Sequence, residues 1–322
     1  MRGTAAEVHA LLREWDAADD PGPLVVETSG STGEPKRVVL SRAAMRASAD
    51  ATHARLGGPG QWLLLLPPTY VAGLQVLFRS VRAGTSPVED PAALTGSRRY
   101  VSVVPTQLRR LLDDPVLATF DTVLVGGAGL DPHLREQAES RGIRLVTTYG
   151  MAETCGGCVY DGVPLDGVEI GTTDDGRVRV GGPVLFDGYD GRPDLTAAVL
   201  VDGWFVTRDV GRVEAGVLHV DGRVDDVVIS GGVNVPAGAV ARHLRSHPDV
   251  RSAEVVGVPD DEWGQRVVAV ADTSLSLDEV RDFVAERYAR TFAPRALVRV
   301  DDLPLLPNGK VDRLAVERLA RG

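Results

Sequence analysis

Short apolar runs alternate with helical patterns over the first half of the chain. The runs predict buried strands, and the segments between them carry apolar residues at the spacing of an amphipathic helix. The predicted strands are Leu24–Glu27, Trp62–Leu66, Tyr100–Val104, Thr122–Val125 and Arg144–Thr147. The predicted helices are Ser41–Leu56, whose first residue is the cap, Val71–Val81, Pro105–Leu112 and Pro132–Arg141. This alternation predicts an α/β layered domain with a largely parallel sheet.

The pattern changes twice further along. Residues 162–222 show short alternating strands with Gly and Asp turns, which predicts a β-rich part of the first domain, residues 1–222. Residues 223–322 predict a separate, small and mobile α+β domain, with a hinge near Asp225. Its predicted elements are strand Val227–Ser230, a helix begun by Pro236, strands near Glu254–Val258 and Arg266–Ala271, helix Leu277–Tyr288 and strand Ala296–Val300.

Composition narrows the function. The 322 residues are 43% hydrophobic, enough for one large core or two domains. The net charge of −10 argues against a general nucleic-acid or anionic-membrane surface, because such surfaces attract concentrated Lys and Arg. The sequence has no apolar run of membrane-spanning length and no signal-peptide pattern at its amino terminus. A cytoplasmic protein is expected.

Only two of the 35 basic residues are lysines, and both lie in glycine-containing polar segments. Lysine is a compact point charge on a flexible stem, suited to reaching one phosphate or carboxylate oxygen. Chance in an arginine-rich composition is the alternative. The two segments are Thr28-Ser-Gly-Ser-Thr-Gly-Glu-Pro-Lys36 and Pro307-Asn-Gly-Lys310.

The first segment has the make-up of a phosphate-binding loop. Gly30 and Gly33 allow backbone N–H groups to approach an anion, and Lys36 supplies a cation. Hydroxyl donors come from Ser29, Ser31 and Thr32. The segment is not a Walker A loop, because Glu34 and Pro35 separate Gly33 from Lys36. A flexible Ser/Gly linker is the alternative.

The only cysteines form the pair Cys155-Gly-Gly-Cys158. Such a pair serves as a redox dithiol or as half of a zinc site. The sequence has no second cysteine pair and no histidine at ligand spacing nearby. We therefore expect both cysteines to be packing residues.

Further motifs follow the phosphate loop in order. They are Tyr149-Gly-Met-Ala-Glu-Thr154, Gly203-Trp-Phe-Val-Thr-Arg-Asp209, Gly222-Arg-Val-Asp-Asp226 with Ile229-Ser-Gly-Gly-Val-Asn234, and Pro307-Asn-Gly-Lys-Val-Asp-Arg313. Together with the loop, they resemble the signature motifs of the adenylate-forming superfamily of acyl-CoA synthetases, adenylation domains and luciferases. The resemblance implies the adenylate-forming fold, with a large N-terminal domain and a small mobile C-terminal domain.

Within the superfamily, softer cues resemble the o-succinylbenzoate-CoA ligases of menaquinone biosynthesis, in their short actinobacterial form. The cues are 66–74, 101–108 and the cysteine pair after Thr154. Two departures are clear. Thr69-Tyr70 stands where many members have an aromatic-His pair. The phosphate loop also begins after only 27 residues, so the resemblance predicts that much of the usual first subdomain is absent.

The resemblance implies a two-step reaction in which ATP and Mg²⁺ convert a carboxylic acid to an acyl-adenylate, and coenzyme A then displaces AMP. It implies Lys310, Thr154 and Glu153 as catalytic residues, with Glu153 also as the magnesium ligand. It implies an ATP- and AMP-binding set of Thr28, Ser29, Gly30, Ser31, Thr32, Gly33, Lys36, Tyr149, Gly150, Met151, Thr154, Asp209 and Arg223. Plain turn acids, surface charges and core aromatics are the alternatives at single positions.

The resemblance also places the hinge and coenzyme A path at Asp225, Ser230, Gly231 and Gly232. Its acyl-pocket candidates are Tyr70, Gly73, Thr106, Gln107, Gly126 and Gly127, for which a core or turn role is an equal alternative. Partners are expected to be small molecules, with a homodimer left open. Activation of another acid, loading of a carrier protein and a non-catalytic nucleotide-binding homologue remain alternatives.

Overall fold

The structure is a computed structural model that describes residues 3–28 and 35–322. Its chain divides into two compact units. Unit 1 comprises Met1–Leu130, Leu134–Thr207 and Arg212–His219. Unit 2 comprises Asp131–His133, Arg208–Gly211 and Val220–Gly322.

The helices and strands within the described residues have the following bounds. The helices are α1 (Ala5–Ala17), α2 (Arg42–Arg55), α3 (Val71–Ala83), α4 (Pro105–Arg110), α5 (Pro132–Ser140), α6 (Pro193–Val199), α7 (Ala237–Arg245), α8 (Leu277–Arg287) and α9 (Arg313–Arg321). The strands are β1 (Leu24–Glu27), β2 (Arg37–Leu40), β3 (Gln61–Leu63), β4 (Arg99–Val103), β5 (Thr122–Gly126), β6 (Leu145–Met151), β7 (Gly156–Tyr160), β8 (Val163–Pro164), β9 (Glu169–Thr172), β10 (Arg177–Gly181), β11 (Gly188–Tyr189), β12 (Leu200–Val201), β13 (Trp204–Glu214), β14 (Val217–Arg223), β15 (Val227–Ser230), β16 (Val233–Pro236), β17 (Val250–Asp260), β18 (Gly264–Thr273) and β19 (Ala296–Arg299).

The central sheet of unit 1 has the strand order β3-β4-β5-β6-β7-β8. Its first four strands are parallel, and β7 and β8 continue antiparallel. Strands buried on both faces read as continuous apolar runs, which is why the sequence pattern located them. One face packs against α4 and α5 through a cluster that includes Val101, Leu108, Val123 and Leu134. The α/β layered domain is confirmed.

Two smaller sheets complete the region before residue 220. One has the order β1-β2-β11, and the other has the path β12-β13-β10-β9 with β14 paired to β13. Three tight turns here place consecutive residues at positive φ: Asp161-Gly162, Asp202-Gly203 and Ala215-Gly216. Positive φ at both central residues defines the turn whose twist suits a β-hairpin, and glycine adopts it without steric cost. The predicted β-rich pattern is therefore present.

Unit 2 is built on a sheet with the path β16-β15-β18-β17, to which β19 adds in parallel beside β18. One face packs against α7 and α8 through Val240, Leu244, Val280 and Val284. The other face carries α9, whose Val316 joins a second cluster. This is the α+β arrangement predicted for the region.

The sequence pattern did not identify α1, α6, α9 or β16. Helix α9 is short, and four of its nine residues are charged; Val316 and Ala320 are buried against the sheet of its own unit. Helix α1 carried a readable signal, the capping box of Thr4 and Glu7. None of the helices described by the structure is long and apolar enough to span a bilayer.

Candidate active site

The base of the predicted phosphate loop is a β-hairpin. Strands β1 and β2 are antiparallel, and Glu27 pairs with Arg37. One step further, the Thr28 N–H donates to the Lys36 carbonyl at 2.8 Å, and the Lys36 N–H donates to the Thr28 hydroxyl at 3.3 Å. The predicted residues Ser29, Gly30, Ser31, Thr32 and Gly33 lie outside the described residues. The backbone therefore fixes Lys36 at the foot of this loop.

Lys36 and Glu153 both contact Tyr189. The Lys36 ammonium lies 5.0 Å from the centroid of the Tyr189 ring, within cation–π range. The hydroxyl of the same tyrosine donates to Glu153 Oε1 at 2.8 Å. Burial and the neighbouring Glu153 charge raise the pKa of Tyr189, so it stays a neutral donor. A buried tyrosine thus links the predicted phosphate cation to the predicted metal ligand.

A tight turn carries Glu153 and Thr154. Residues Ala152–Thr154 form one 3-10 turn after β6. The Thr154 side chain is fully buried; its hydroxyl accepts from the Met151 N–H at 2.9 Å and lies 2.7 Å from the Gly156 carbonyl, to which it donates. The hydroxyl is therefore engaged with the backbone of the turn.

The strand before this turn places Tyr149, Gly150 and Met151. A register shift separates Tyr149 from Gly150 where β6 pairs with β7. A Cβ atom at Gly150 would lie 2.0 Å from the Gly156 carbonyl oxygen, so no other residue fits without moving the backbone. Tyr149 is half-buried beside this irregularity. The glycine is thus required by the close approach of two strands.

The C-terminal end of the turn is hydrogen-bonded to two helices. The Cys155 carbonyl accepts from Gln75 Nε2 of α3 at 2.7 Å and from Ser48 Oγ of α2 at 3.0 Å. Cys155 itself has a left-handed backbone, with φ of 50°. Two side-chain donors to one carbonyl stabilise this unusual conformation and hold the end of the Glu153 turn.

Both cysteines are buried, and no disulfide joins them. Burial raises the pKa of Cys155, and it raises the pKa of the Cys158 thiol to about 12. Neither thiol is then a thiolate at neutral pH, which is the form that binds zinc or reacts. Among the described residues, no cluster of three or more His, Cys, Asp and Glu side chains could hold a metal.

In unit 2, Asp209 and Arg223 form an ion pair across β13 and β14. Arg223 Nη1 lies 3.2 Å from Asp209 Oδ1, and Asp209 is almost fully buried. The same arginine reaches Asp225 at 3.9 Å, and Arg208 also pairs with Asp225. Asp225 lies in the 3-10 turn Val224–Asp226. The structure therefore joins two residues of the predicted ATP- and AMP-binding set to the predicted hinge residue.

Lys310 lies on an exposed turn of unit 2. The Leu306 N–H donates to the Lys310 carbonyl at 2.8 Å, and the Lys310 N–H donates to Asn308 Oδ1 at 3.1 Å. An antiparallel bridge between Leu305 and Val311 closes the turn. We call residues 305–311 the lysine turn.

The glycines predicted to lie on the coenzyme A path form a hairpin turn. Gly231 and Gly232 connect β15 to β16 with φ of 57° and 78°. A Cβ atom at Gly231 would lie 2.7 Å from the Trp263 ring. Ser230, just before them, is buried, and its hydroxyl has no hydrogen-bond partner among the described residues.

The acyl-pocket candidates divide by what fixes them. A Cβ atom at Gly73 would lie 2.2 Å from the Pro67 carbonyl oxygen, and one at Gly126 would lie 2.3 Å from Thr148 Oγ1. The Gln107 amide accepts from the Val104 N–H and donates to the Leu65 carbonyl. Structural contacts therefore account for the residue types at these three positions without a role in substrate binding. The other three candidates are Tyr70 and Thr106, which are half-buried, and Gly127, which is exposed.

Sequence reasoning did not identify Tyr189 as a site residue. It lies in the dipeptide Gly188-Tyr189 of a very short strand, 36 residues after Glu153. No periodic pattern reports a pairing across that separation.

Family models match both halves of the chain. A model described as AMP-binding enzyme matches residues 14–190. A model described as AMP-binding enzyme C-terminal domain matches residues 240–310.

Individual relatives agree. The chain is 45% identical to a probable 2-succinylbenzoate–CoA ligase of Mycobacterium tuberculosis, over 97% of this chain and 88% of the relative. It resembles a solved Bacillus subtilis o-succinylbenzoate CoA synthetase (MenE) in complex with the acyl-adenylate intermediate OSB-AMP, with a TM-score of 0.77 and 29% identity over 91% of this chain and 68% of that one. The same Bacillus enzyme with ATP and a magnesium ion gives a TM-score of 0.78 and 28% identity, over 92% and 69% of the two chains. The chain therefore belongs to the AMP-binding enzyme family, the adenylate-forming superfamily that its ordered motifs predict.

Proposed function

We propose that this protein is an ATP-dependent 2-succinylbenzoate–CoA ligase. The likeness to enzymes of that name, along nearly the whole chain, carries the proposal. The contact of Lys36 and Glu153 with Tyr189 supports it from the geometry, because it places a cation and a carboxylate around one buried side chain.

In the first step, an oxygen of the substrate carboxylate attacks the α-phosphorus of ATP. A new bond forms between the carboxylate oxygen and the α-phosphorus. The bond between the α-phosphorus and the oxygen that bridges to the β-phosphate breaks, and pyrophosphate leaves. Lys36 and the segment from Thr28 to Gly33 bind the β- and γ-phosphates, since backbone N–H groups and a fixed ammonium suit phosphate oxygens. Thr154 organises the turn; for its hydroxyl to reach the α-phosphate as well, it must release the Gly156 carbonyl.

Glu153 suits Mg²⁺. Magnesium in nucleotide sites is bound through one or two carboxylates, with waters and phosphates completing its octahedron. The single buried carboxylate on this turn fits that donor set, since its Oε1 is already oriented by Tyr189. Bound there, the ion would neutralise charge on the phosphates.

Nucleoside binding is assigned to Tyr149, Asp209 and Arg223. Tyr149 stacks on adenine, beside Gly150 and Met151. Asp209 accepts the ribose hydroxyls as a carboxylate, and Arg223 fixes its orientation. Lys310 then stabilises the charge that develops between the substrate carboxylate and the α-phosphate.

In the second step, the coenzyme A thiol loses its proton and its sulfur attacks the acyl carbonyl. The carbon–sulfur bond forms, and AMP leaves with the former carboxylate oxygen. Asp225 serves as the hinge that exchanges Lys310 for the Ser230-Gly231-Gly232 hairpin. Two glycines suit a place where pantetheine passes close to the backbone.

The acyl pocket needs an apolar slot for the ring and polar groups for the second carboxylate. Tyr70 and Thr106 provide such surfaces, whereas Gln107 is engaged with two backbone groups. Formation of a homodimer and activation of other carboxylic acids are predictions to be tested in solution.

Pyrophosphate release across a panel of carboxylic acids, with and without coenzyme A, tests the proposal. We expect kcat/KM for 2-succinylbenzoate to exceed that for benzoate and octanoate by at least about 10², because polar pockets discriminate strongly against substrates that lack the paired group. Equal rates with benzoate would refute the named substrate and keep the adenylate chemistry. No release with any acid, from protein that binds ATP, would point to the non-catalytic homologue.

A further inference from the structure

Unit 2 contains a compact group of four charges outside the residues assigned above. Asp226 pairs with Arg313, and Glu254 on β17 lies 3.4 Å from Arg245 on α7. The Asp226 side chain is only 13% exposed and that of Arg313 is 32% exposed. Burial raises the pKa of Glu254, while the charges of Arg245 and Arg313 oppose that shift. Two acids and two bases from separate elements therefore share one partly desolvated region.

The Asp226–Arg313 pair joins two segments with assigned roles. Asp226 directly follows Asp225, the proposed hinge residue, in the turn Val224–Asp226. Arg313 is the first residue of α9 and lies three residues after Lys310. Three residues span at most about 10 Å of chain, so anchoring Arg313 restricts where Lys310 can lie.

The surroundings hold Asp226 in place. A Cβ atom at Gly238, in the first turn of α7, would lie 3.1 Å from Asp226 Oδ2, so the carboxylate packs directly against that helix. On the other side, Asp312 caps α9 by accepting from the Ala315 N–H at 3.0 Å, and its own N–H donates to the Pro304 carbonyl at 2.8 Å. Backbone hydrogen bonds, the Asp312 cap and the Asp226–Arg313 ion pair therefore fix the segment that directly follows the lysine turn.

We propose that Asp226 and Arg313 are positioning residues for Lys310, which they hold in a constant place relative to the hinge. The inference rests on the proposed roles of Lys310 and Asp225. The ammonium must approach within hydrogen-bond distance of two reacting groups, and displacement of a catalytic group by about 1 Å costs as much as 10² in rate. A turn that loses this anchor places its lysine correctly less often, while the residues that bind ATP are unchanged.

The experiment compares Asp226→Asn, Arg313→Gln, their combination and Arg313→Lys. Adenylation is followed by pyrophosphate release, thioester formation by coenzyme A consumption with supplied acyl-adenylate, and folding by the thermal midpoint. Each single change is expected to lower kcat for adenylation by at least about tenfold, with KM for ATP within about threefold. Thioester formation should stay within about threefold, since Lys310 acts only in the first step.

The two residues must also act through their mutual contact, so that their substitutions are not additive. The double variant should be no slower than the slower single variant, because residues that act through one contact are not additive. Arg313→Lys, which keeps the positive charge but replaces the guanidinium fork by a single ammonium, should recover part of the rate lost in Arg313→Gln. The matched control is Asp282 with Arg290, 2.8 Å apart but 67% and 59% exposed; Asp282→Asn and Arg290→Gln should change neither half-reaction.

Three results would overturn the inference: unchanged adenylation in both single variants, equal loss of both half-reactions in parallel with the thermal midpoint, or multiplicative effects in the double variant. Failure of the proposed function gives a different result. Wild-type protein that activates another acid refutes the named substrate, and the same variants are then tested with that acid. A Lys310→Ala enzyme with wild-type adenylation refutes the role of Lys310 and this inference with it.

Discussion

The two lysines are held in opposite ways. Lys36 is half-buried, its backbone is bonded to Thr28, and its ammonium lies over the Tyr189 ring. Lys310 is exposed, and the contacts that fix its place act on the backbone of the lysine turn and on Arg313. The difference shows how two cations in one enzyme can serve different needs. Under the proposed roles, the phosphate-binding cation is held in place before ATP arrives, whereas the cation that acts in one step of two is placed by the turn that carries it.

The largest effect is expected for Lys310→Ala. This change should lower pyrophosphate release from acid and ATP by about 10²–10³, because an aimed cation at developing charge is removed. Thioester formation from supplied acyl-adenylate should be largely spared. Equal loss of both half-reactions would break the distinction between the lysines.

Lys36→Ala should act mainly on binding. We expect KM for ATP to rise by about tenfold or more with a smaller change in kcat, since a ground-state phosphate contact is lost. Calorimetric titration with ATP measures the same loss without turnover. A pure kcat defect with unchanged ATP affinity would contradict the assignment.

Tyr189→Phe removes only the hydroxyl that orients Glu153. A hydrogen bond to a charged group contributes about 1.5–3 kcal/mol, so magnesium–ATP binding should weaken by about tenfold or more. Binding measured with Mg²⁺ present and with Mg²⁺ chelated separates this loss from the ring contact with Lys36. The matched control is Tyr100→Phe. It removes a hydroxyl that donates to the Leu56 and Gly58 carbonyls.

The region behind the Glu153 turn predicts a pH dependence of stability. Burial, with the charges of Arg79 and Arg82, lowers the pKa of His53 from 6.5 to about 4, while Asp50 opposes the shift. Above pH 6.5 the residue is neutral in both states and has no effect on the pH dependence. As the pH falls towards 4, the unfolded state gains a proton that the folded state does not, and the free energy of unfolding decreases.

At pH 5 this linkage amounts to about 2 kcal/mol. The free energy of unfolding, measured with urea, should therefore change less between pH 7.5 and pH 5 for His53→Gln than for the wild type. An equal change in the free energy of unfolding between the two pH values in both proteins would show that His53 is protonated or exposed in the folded state.

The smallest effect is expected for the cysteines. Their raised pKa values and burial make them packing residues, so the joint change to Ala should leave turnover within about tenfold. Bound zinc at one equivalent, or activity that follows dithiol oxidation, would contradict this.

Local sequence signals predicted more of the fold than of the site. The strand Val227–Ser230 was predicted with its exact bounds and α3 to within two residues, because buried strands and amphipathic helices leave periodic patterns. The contacts of Tyr189 with Glu153 and of Arg313 with Asp226 left none. They join residues 36 and 87 positions apart, and only the folded chain brings them together.

The two glycines at the acyl-pocket candidates limit how this enzyme can be redesigned. A side chain at Gly73 would collide with the Pro67 backbone carbonyl, and one at Gly126 would have to displace the Thr148 hydroxyl, so both are poor positions for a mutational library. Variation in substrate range must then come from neighbours whose side chains already project from the backbone, Tyr70 and Thr106 first among them. A library restricted to those neighbours would be small enough to screen completely, and most of its members would keep the fold.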